Sequence, residues 1–432
     1  MNPKNSKTTE IAYAILTLGS SGLWGFVSSW ILYFYIPPTG TPLVPIAMYS
    51  LIMLLSKLIN IFVNMPIGFL SDQTHTPWGR RLPYIFWATL FMAGLFILLW
   101  TPPHGAPMLT LCYLAVVMCL FNIAYGFREI PYEALLPELA PEEEQRIGIS
   151  GWRAGFQLAG AICAGFAGPL IEALGYSTSA LIFALCMLPF FFIPLFFIHE
   201  KKQSSTKLEE RLSFMSHFRL TISNGSFRIF VLSWSLAWMA STFVLETIPF
   251  ITTEICRGSE ADTVYLYFSA IIVSLICFPG VTWLANRHGK HRVFLGSLLA
   301  GALVMPCLFL IGPSIPVPLL AQGVIWICLE AMALSGFQVL PMAILAEISD
   351  KDAKLTGHNR EGSYYGALGV MEQVSSGGAS TLLPLFLLLG RSHNDPNGPL
   401  GIRLLGFAGG LAMLAAFILY RSHAHDSKPD GA

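Results

Sequence analysis

Ionisable side chains interrupt several of the long apolar runs in this chain. They are Lys57, Arg128, Glu129, Glu133, Arg153, Glu246, Glu330 and Glu372. A charged group is costly inside a membrane, so it usually faces either a structural partner or a solute pathway. Carboxyl groups can bind and release protons, and arginine can hold a planar anion through two parallel hydrogen bonds. These residue types indicate solute binding and ion coupling, with structural pairing as the alternative for each group.

Two short segments concentrate this chemistry. Lys57, Asn60 and Asn64 have the spacing that places them on one face of a helix. Arg128 and Glu129 precede Pro131, whose missing N–H group loosens a helix and frees backbone carbonyls. Aromatic residues that could stack on a sugar ring, or instead pack at the membrane interface, occur nearby in the chain. They are Trp24, Trp30, Tyr125, Tyr132 and Trp152.

The elements that must position these residues are membrane-spanning helices. Of the 432 residues, 54% are hydrophobic and 12% are charged, and the mean hydropathy is +0.62. A soluble globular protein of this composition would expose too much apolar surface. About twelve runs reach the roughly 20 apolar residues that a spanning helix needs. They lie near 11–36, 44–70, 82–101, 108–136, 149–174, 177–198, 227–252, 264–285, 293–311, 317–348, 363–389 and 400–420.

A loop sequence occurs twice, about half a chain apart. GFLSDQTHTPWGRR begins at Gly68, and the weaker copy GVTWLANRHGKHR begins at Gly280. Such duplication is typical of secondary transporters built from related halves. We therefore predict an all-α integral membrane fold of two pseudo-symmetric six-helix bundles. The predicted parts are an N-terminal bundle at 1–198, a cytoplasmic linker at 199–226, a C-terminal bundle at 227–421 and a cytoplasmic tail at 422–432.

Basic residues in the loops predict the topology. They gather in alternate connections, while the remaining short loops are nearly free of them apart from Arg257 and Arg391. The positive-inside rule then places both chain termini in the cytoplasm. The first apolar run continues too far for a cleavable signal and is interpreted as a permanent span. We expect a multi-pass protein of the plasma membrane, which would be the inner membrane in a bacterium.

Four segments resemble one transporter family. The first loop contains Gly68, Asp72, Gly79, Arg80 and Arg81 in a spacing similar to the major facilitator signature. REIPYEALLPEL at 128–139, the pair Trp152-Arg153, and LTGHNREGSYYGAL at 355–368 are similar to further segments of one branch. Together they resemble the glycoside-pentoside-hexuronide:cation symporters, the melibiose-permease branch of the major facilitator superfamily. The resemblance implies alternating access of a central cavity to the two sides of the membrane.

The resemblance also assigns residues to the coupling ion. In that branch two acids of the second span coordinate a cation, and Asn60 and Asn64 occupy the matching positions. Asparagine offers a carbonyl oxygen without a negative charge, so a sodium site would lose most of its attraction. The fourth-span acid of the branch matches Glu129, while Gln373 beside Glu372 replaces its eleventh-span lysine. We therefore expect a proton as the coupling ion, with Glu129 as first choice and Glu372 or Glu330 as alternatives.

Solute binding is assigned to a mainly basic set of side chains. The predicted residues are Lys57, Arg128, Glu129, Trp152, Arg153 and Gln373. The branch implies a glycoside, sugar or uronide as the solute, and the excess of positive groups favours an anionic one. Ser21 and Glu133 stand where the melibiose permease has sugar-contacting residues, so melibiose itself is not expected.

The loop residues are assigned to conformational gating. In the first half these are Asp72, Gly79, Arg80 and Arg81, whose ionic contacts would hold one conformation and break in the other. The second-half counterparts implied by the resemblance are Asp350, Arg360 and Glu361. Alternatively, Arg80 and Arg81 occur in this loop only because the positive-inside rule favours basic residues in cytoplasmic loops.

Other classes of function lack their sequence patterns. The chain has no nucleotide-binding glycine loop, HExxH, GxSxG or CxxC motif, so we expect neither an enzyme nor a bound metal or cofactor. The balance of 25 basic and 25 acidic residues does not suggest a nucleic-acid partner. The expected partners are a small solute, a coupling ion and the lipid bilayer, with the protein a monomer. A lysophospholipid-type carrier, an uncoupled facilitator and a non-transporting receptor remain open.

Overall fold

The computed structural model describes residues 3–38, 40–74, 76–103, 105–140, 143–198, 221, 223–356, 361–389 and 400–426. Within these ranges the regular elements are helices, apart from an isolated β-bridge between Thr76 and Gly79. The described residues form two compact units. Unit 1 lies within Met1–Thr206 and Ser259–Val264, and unit 2 lies within Lys207–Gly258 and Tyr265–Ala432.

Unit 1 contains seven helices in its described part. They are α1 (Pro3–Tyr35), α2 (Ile46–Gln73), α3 (Leu82–Leu98), α4 (Pro107–Leu139), α5 (Glu143–Gly165), α6 (Ala167–Leu174) and α7 (Tyr176–Leu195). Helix α1 packs closely on α5, because a Cβ atom on Gly160 would lie 2.4 Å from the carbonyl oxygen of Leu18. Only glycine permits this approach, which brings the side chains of α1 and α5 together.

Unit 2 contains another set of helices, two of which continue into irregular turns. They are α8 (Gly225–Phe250), α9 (Thr263–His288), α10 (Lys290–Val304), α11 (Leu319–Val339), α12 (Pro341–Thr356), α13 (Glu361–Leu387) and α14 (Leu400–Asp426). Helix α8 contains Pro249 and runs into a π-helical turn at Ile251–Ile255. A proline removes a backbone donor from the helix, which explains the change of winding at this point.

Helices occupy all twelve of the predicted apolar runs. Nine helices of the described residues are long and apolar enough to cross a membrane, and shorter apolar stretches lie at Ile46–Asn60 within α2 and at Leu82–Leu98, which is α3. The remaining predicted run is covered by the 27 residues of α13. The all-α membrane architecture is therefore confirmed. The domain boundaries stay a prediction, because most of the linker lies outside the described residues, and α14 continues to Asp426.

Candidate functional site

Two arginine–glutamate ion pairs lie close together in unit 1. The guanidinium group of Arg128 donates to the carboxylate of Glu129 on α4. Arg153 on α5 donates through both terminal nitrogens to the two oxygens of Glu133, and the Nη1–Oε2 distance is 3.0 Å. We call Arg128, Glu129, Tyr132, Glu133 and Arg153 the ionic cluster. It contains three of the predicted solute-binding residues.

The ring of Tyr132 connects the two ion pairs. It lies 5.1 Å from the guanidinium carbon of Arg128 and 5.2 Å from that of Arg153. The Tyr13 ring stacks on Tyr132 with 4.4 Å between centroids. Tyr132 therefore orients both cations through cation–π contacts.

The two pairs differ in exposure. The Arg128 side chain is 0% exposed, and its Nη2 donates to the carbonyl oxygen of Leu16 at 3.0 Å. By contrast, the side chains of Arg153 and Glu133 are 22% and 46% exposed. The Arg153–Glu133 pair is therefore the more exposed of the two, while Arg128 lies inside the cluster.

Lys57 forms a second basic centre in unit 1. Its side chain is buried, and Nζ lies 4.1 Å from the centroid of the Trp24 ring. Trp24 in turn contacts Tyr125 at 5.2 Å between centroids, and Tyr125 precedes Arg128 on α4. Asn60, one turn after Lys57 on α2, is buried, and its Oδ1 has no hydrogen-bond partner among the described residues. The side chain of Asn64 lies outside the described residues.

Other sequence candidates in unit 1 lie elsewhere. Trp152 is 50% exposed and contacts Phe156 rather than the ionic cluster. Trp30 packs with Tyr33 and Tyr176. The hydroxyl group of Ser21 donates to the backbone carbonyl of Gln157 at 2.7 Å. Of the aromatic candidates, Trp24, Tyr125 and Tyr132 are those placed beside the basic side chains.

The predicted gating residues are only partly described. Gly79 has a φ of 119°, a left-handed conformation that favours glycine. The buried guanidinium of Arg81 donates to the carbonyl oxygen of Ala134 and so ties the loop to α4. Arg80 is half-buried, and Asp350 is exposed. The side chains of Asp72, Arg360 and Glu361 lie outside the described residues, so gating stays a prediction.

Unit 2 holds separate polar contacts between α8 and α13. Ser380 donates to Oε1 of the buried Glu246 at 2.6 Å, and Trp238 donates to the hydroxyl oxygen of Ser376 at 3.0 Å. Gln373 lies on the same helix as Ser376, and its Oε1 has no hydrogen-bond partner in the described part of the chain. The role of Gln373 in solute binding stays a prediction. Glu372 makes an interaction of its own.

Sequence reasoning missed an ionic group at the start of α10. Glu347 accepts from Lys290 at 2.7 Å and from Lys351 at 2.6 Å, and Nε2 of His291 lies 3.3 Å from it. The signal for part of it was present, because Glu347 and Lys351 have the spacing of a helical ion pair. Among the described residues no group of three or more His, Cys, Asp or Glu side chains could hold a metal ion.

Comparison with known proteins identifies the family. Curated relatives include an uncharacterized symporter of Synechocystis, 28% identical over 36% of this chain and 29% of its own length. An isoprimeverose transporter of Lactiplantibacillus pentosus is 22% identical over 68% of this chain and 63% of its own length. These two relatives are thus covered over less than two thirds of their length. A protein of Salmonella typhimurium named as a sulfoquinovose importer is 23% identical over 96% of this chain and 89% of its own length.

Solved structures agree on the fold. The crystal structure of the nucleoside transporter NupG has a TM-score of 0.68 and 11% identity, covering 99% of this chain and 100% of that one. At this identity the likeness shows the fold alone, which is that of the major facilitator transporters. Residues 12–398 match the profile of the family described as MFS/sugar transport protein. The resemblance to the glycoside-type symporter branch is confirmed, and the chain belongs to the MFS/sugar transport protein family.

Proposed function

We propose that this protein is a secondary active transporter that moves a small anionic sugar, glycoside or uronide by alternating access, with a proton as the coupling ion. The observation that carries the proposal is the ionic cluster, in which two arginine–glutamate pairs share the ring of Tyr132 inside a membrane-spanning bundle. The protein works as a monomer in the plasma membrane, or the bacterial inner membrane, with both termini in the cytoplasm.

Charge and geometry support an anionic solute. Three cations outnumber the two carboxylates of the cluster. The cations are Lys57, Arg128 and Arg153, and the carboxylates are Glu129 and Glu133. Arg153 holds Glu133 through two parallel hydrogen bonds, and a carboxylate or sulfonate of a solute fits the same fork. A solute anion would therefore replace Glu133 at the exposed side of Arg153, and the released carboxylate can accept hydrogen bonds from sugar hydroxyl groups.

The names of the relatives support the same class. One is a transporter of isoprimeverose, and another is named as an importer of sulfoquinovose, which denotes a sulfo-substituted sugar. Their identities of 22% and 23% support a class of solute rather than one compound.

Proton coupling follows from the carboxyl groups of the cluster. Asn60 and Asn64 supply no negative charge for a sodium ion. Glu129 interacts electrostatically with Arg153 and Glu133. An anionic solute that binds Arg153 adds a negative charge beside Glu129, and this charge favours uptake of a proton. Solute and proton then bind together.

A lysophospholipid-type carrier is the second candidate. A cavity of about 600 Å³ lies along α3 and α4 of unit 1. Its lining is almost entirely apolar, with Trp87, Phe91, Leu95, Leu120 and Phe127 among the residues. An acyl chain fits such a surface, whereas a sugar does not.

A thermal-shift screen of the purified protein separates the candidates, because a ligand of the native state raises the apparent melting temperature. We expect shifts with uronic acids or sulfo sugars, weaker shifts with neutral glycosides and none with lysolipids. The Arg153→Gln variant should lose the shift, while Arg287→Gln, a change in unit 2, should keep it. A shift with lysolipids alone would favour the second candidate. Binding without solute flux in liposomes would indicate a receptor.

A further inference from the structure

Glu330 is a buried carboxyl group of unit 2 that does not belong to the ionic cluster. It lies near the middle of α11, and the residue is 1% exposed. Neither of its carboxyl oxygens has a hydrogen-bond partner among the described residues. At 1.5 Å per residue it is roughly 15 Å from either end of the helix, too far for the side chain to reach polar surroundings there.

Aromatic residues flank Glu330 along the buried face of α11. Trp326, one turn earlier on α11, lines a small apolar cavity with residues of α8 and α14. Phe337, two turns later, contacts the ring of Trp238 at 6.1 Å between centroids. Both aromatic residues lie on the buried face that also carries Glu330. The carboxyl group therefore faces the packed interior of unit 2.

Among the side chains that the structure describes, no charge offsets this burial. The described titratable side chains of the elements around α11 stand on α8, α10, the turns after α8 and α10, α12 and α14. They are Arg228, Glu246, Glu254, Cys256, Lys290, His291, Arg292, Cys307, Glu347, Asp350, Lys351, Asp352, Lys354, Arg403, Tyr420 and Arg421, with Cys328 on α11 itself. None of those described interacts electrostatically with Glu330. Glu246 differs, because it accepts a hydrogen bond from Ser380.

A buried polar side chain with a purely structural role should have hydrogen-bond partners. Buried polar groups are normally hydrogen-bonded, and an isolated ionised carboxylate in an apolar interior is too costly to persist. Glu330 is 1% exposed and has no hydrogen-bond partner in the described part of the chain, so its carboxyl group is neutral and holds a proton. Because of this cost, an ionisable residue inside a membrane is by default a candidate for a functional site.

We infer that Glu330 is a second proton-binding site of this transporter, located in unit 2 and loaded in this conformation. Binding converts the carboxylate and one proton into the neutral acid, and release returns that proton to water when the side chain becomes hydrated during the cycle. The role of Glu330 in transport rests on the proton coupling of the proposed function. The protonation of Glu330 does not depend on that coupling.

Infrared spectroscopy of the reconstituted protein tests the protonation directly. We expect a C=O stretching band of a protonated carboxyl group at neutral pH in the wild type. The band should be lost in Glu330→Gln, kept in Glu246→Gln and retained at a shifted frequency in Glu330→Asp. The Asp variant also shows whether the site tolerates substitution. A Glu330→Gln spectrum identical to that of the wild type would overturn the assignment.

A vesicle assay tests the role in transport. Glu330→Gln is expected to lose the proton flux linked to solute entry while it keeps solute-for-solute exchange, and Glu246→Gln should keep both. Unchanged proton flux in Glu330→Gln would overturn the role in transport. Absence of flux in the wild type would contradict proton coupling as a whole, whereas the infrared result would still decide whether Glu330 holds a proton.

Discussion

Tyr13 and Tyr132 exchange hydrogen bonds across the interface of α1 and α4. The Tyr13 hydroxyl donates to the backbone carbonyl of Tyr132 at 3.0 Å, and the Tyr132 hydroxyl donates to the carbonyl of Tyr13 at 3.1 Å. Their rings stack with an interplanar angle of 15°. Because both arginines of the ionic cluster lie over Tyr132, this reciprocal pair fixes the platform on which the cations rest.

The Tyr132→Phe variant should weaken solute binding. It removes one buried hydrogen bond, which costs about 1 kcal/mol of stability, and frees the ring that orients Arg128 and Arg153. Tyr35→Phe is the matched control, since the Tyr35 hydroxyl also donates to a backbone carbonyl, that of Leu99 at 2.9 Å. Both variants should melt at lower temperature, and only Tyr132→Phe should bind solute more weakly by calorimetry. Equal affinities in the two variants would contradict the platform role.

Removal of one arginine should destabilise the protein to a degree set by burial. Arg128→Met removes the buried cation of the pair and leaves the Glu129 carboxylate without it. This loss is worth about 3–5 kcal/mol. Arg153→Met breaks a pair that water partly reaches, which costs about 1 kcal/mol or less. Melting temperatures in one detergent provide the comparison. A larger effect from Arg153→Met would contradict the assignment of Arg128–Glu129 as the more buried pair.

Sodium should not drive this transporter. Solute uptake into vesicles should stay the same when sodium is replaced by choline, because Asn60 and Asn64 carry no charge. Asn60→Asp alone should not create sodium dependence, since Lys57 is one turn away on the same face and would pair with the new carboxylate. The double change Lys57→Gln and Asn60→Asp should confer sodium stimulation. Sodium stimulation of the wild type would contradict the assignment.

The segment Ser259–Val264 packs with unit 1 and should respond to pH. The Tyr176 hydroxyl donates to Oε1 of Glu260 at 3.1 Å, and the backbone N–H of Ala261 donates to Glu172 at 2.7 Å. Burial raises the pKa of the Glu260 carboxyl, and the charge of Glu172 raises it further, while the bond from Tyr176 acts in the opposite direction.

A raised pKa in the folded state fixes the sign of this effect. The contribution of Glu260 to stability is complete below the unfolded pKa and is lost as the pH rises through the folded pKa. The melting temperature should therefore fall as the pH rises from the unfolded pKa of Glu260 to its folded pKa. Glu260→Gln should remove that part of the pH dependence. The exposed Asp350, changed to Asn, is the control and should leave the profile intact. A profile unaffected by Glu260→Gln would refute the assignment.

The sequence predicted the positions of the helices well because apolar runs long enough to span a membrane are a strong local signal. It also selected Arg128, Glu129 and Arg153 because charges inside spans are rare, and the structure places all three in the ionic cluster. Lys57 and Asn60, whose spacing predicts one shared helix face, are both buried on α2.

Local sequence patterns do not predict which of these charged side chains pair with each other. Glu133 and Arg153 are on different helices, and nothing in their spacing indicates a bidentate pair. Tyr13 carried no signal, because a tyrosine in an apolar span resembles an ordinary packing residue. Trp152 was selected for its aromatic ring, yet only the direction of the side chain decides whether it joins the cluster, and that direction depends on how α5 packs.

Solute-linked proton movement tests the central claim most directly. Liposomes that contain the protein and an internal pH-sensitive dye should acidify inside when an anionic glycoside that binds the protein is added outside. The signal should be absent from protein-free liposomes and from Glu129→Gln. The account is contradicted if the wild type takes up the solute with no change of internal pH, or if Glu129→Gln moves protons as the wild type does.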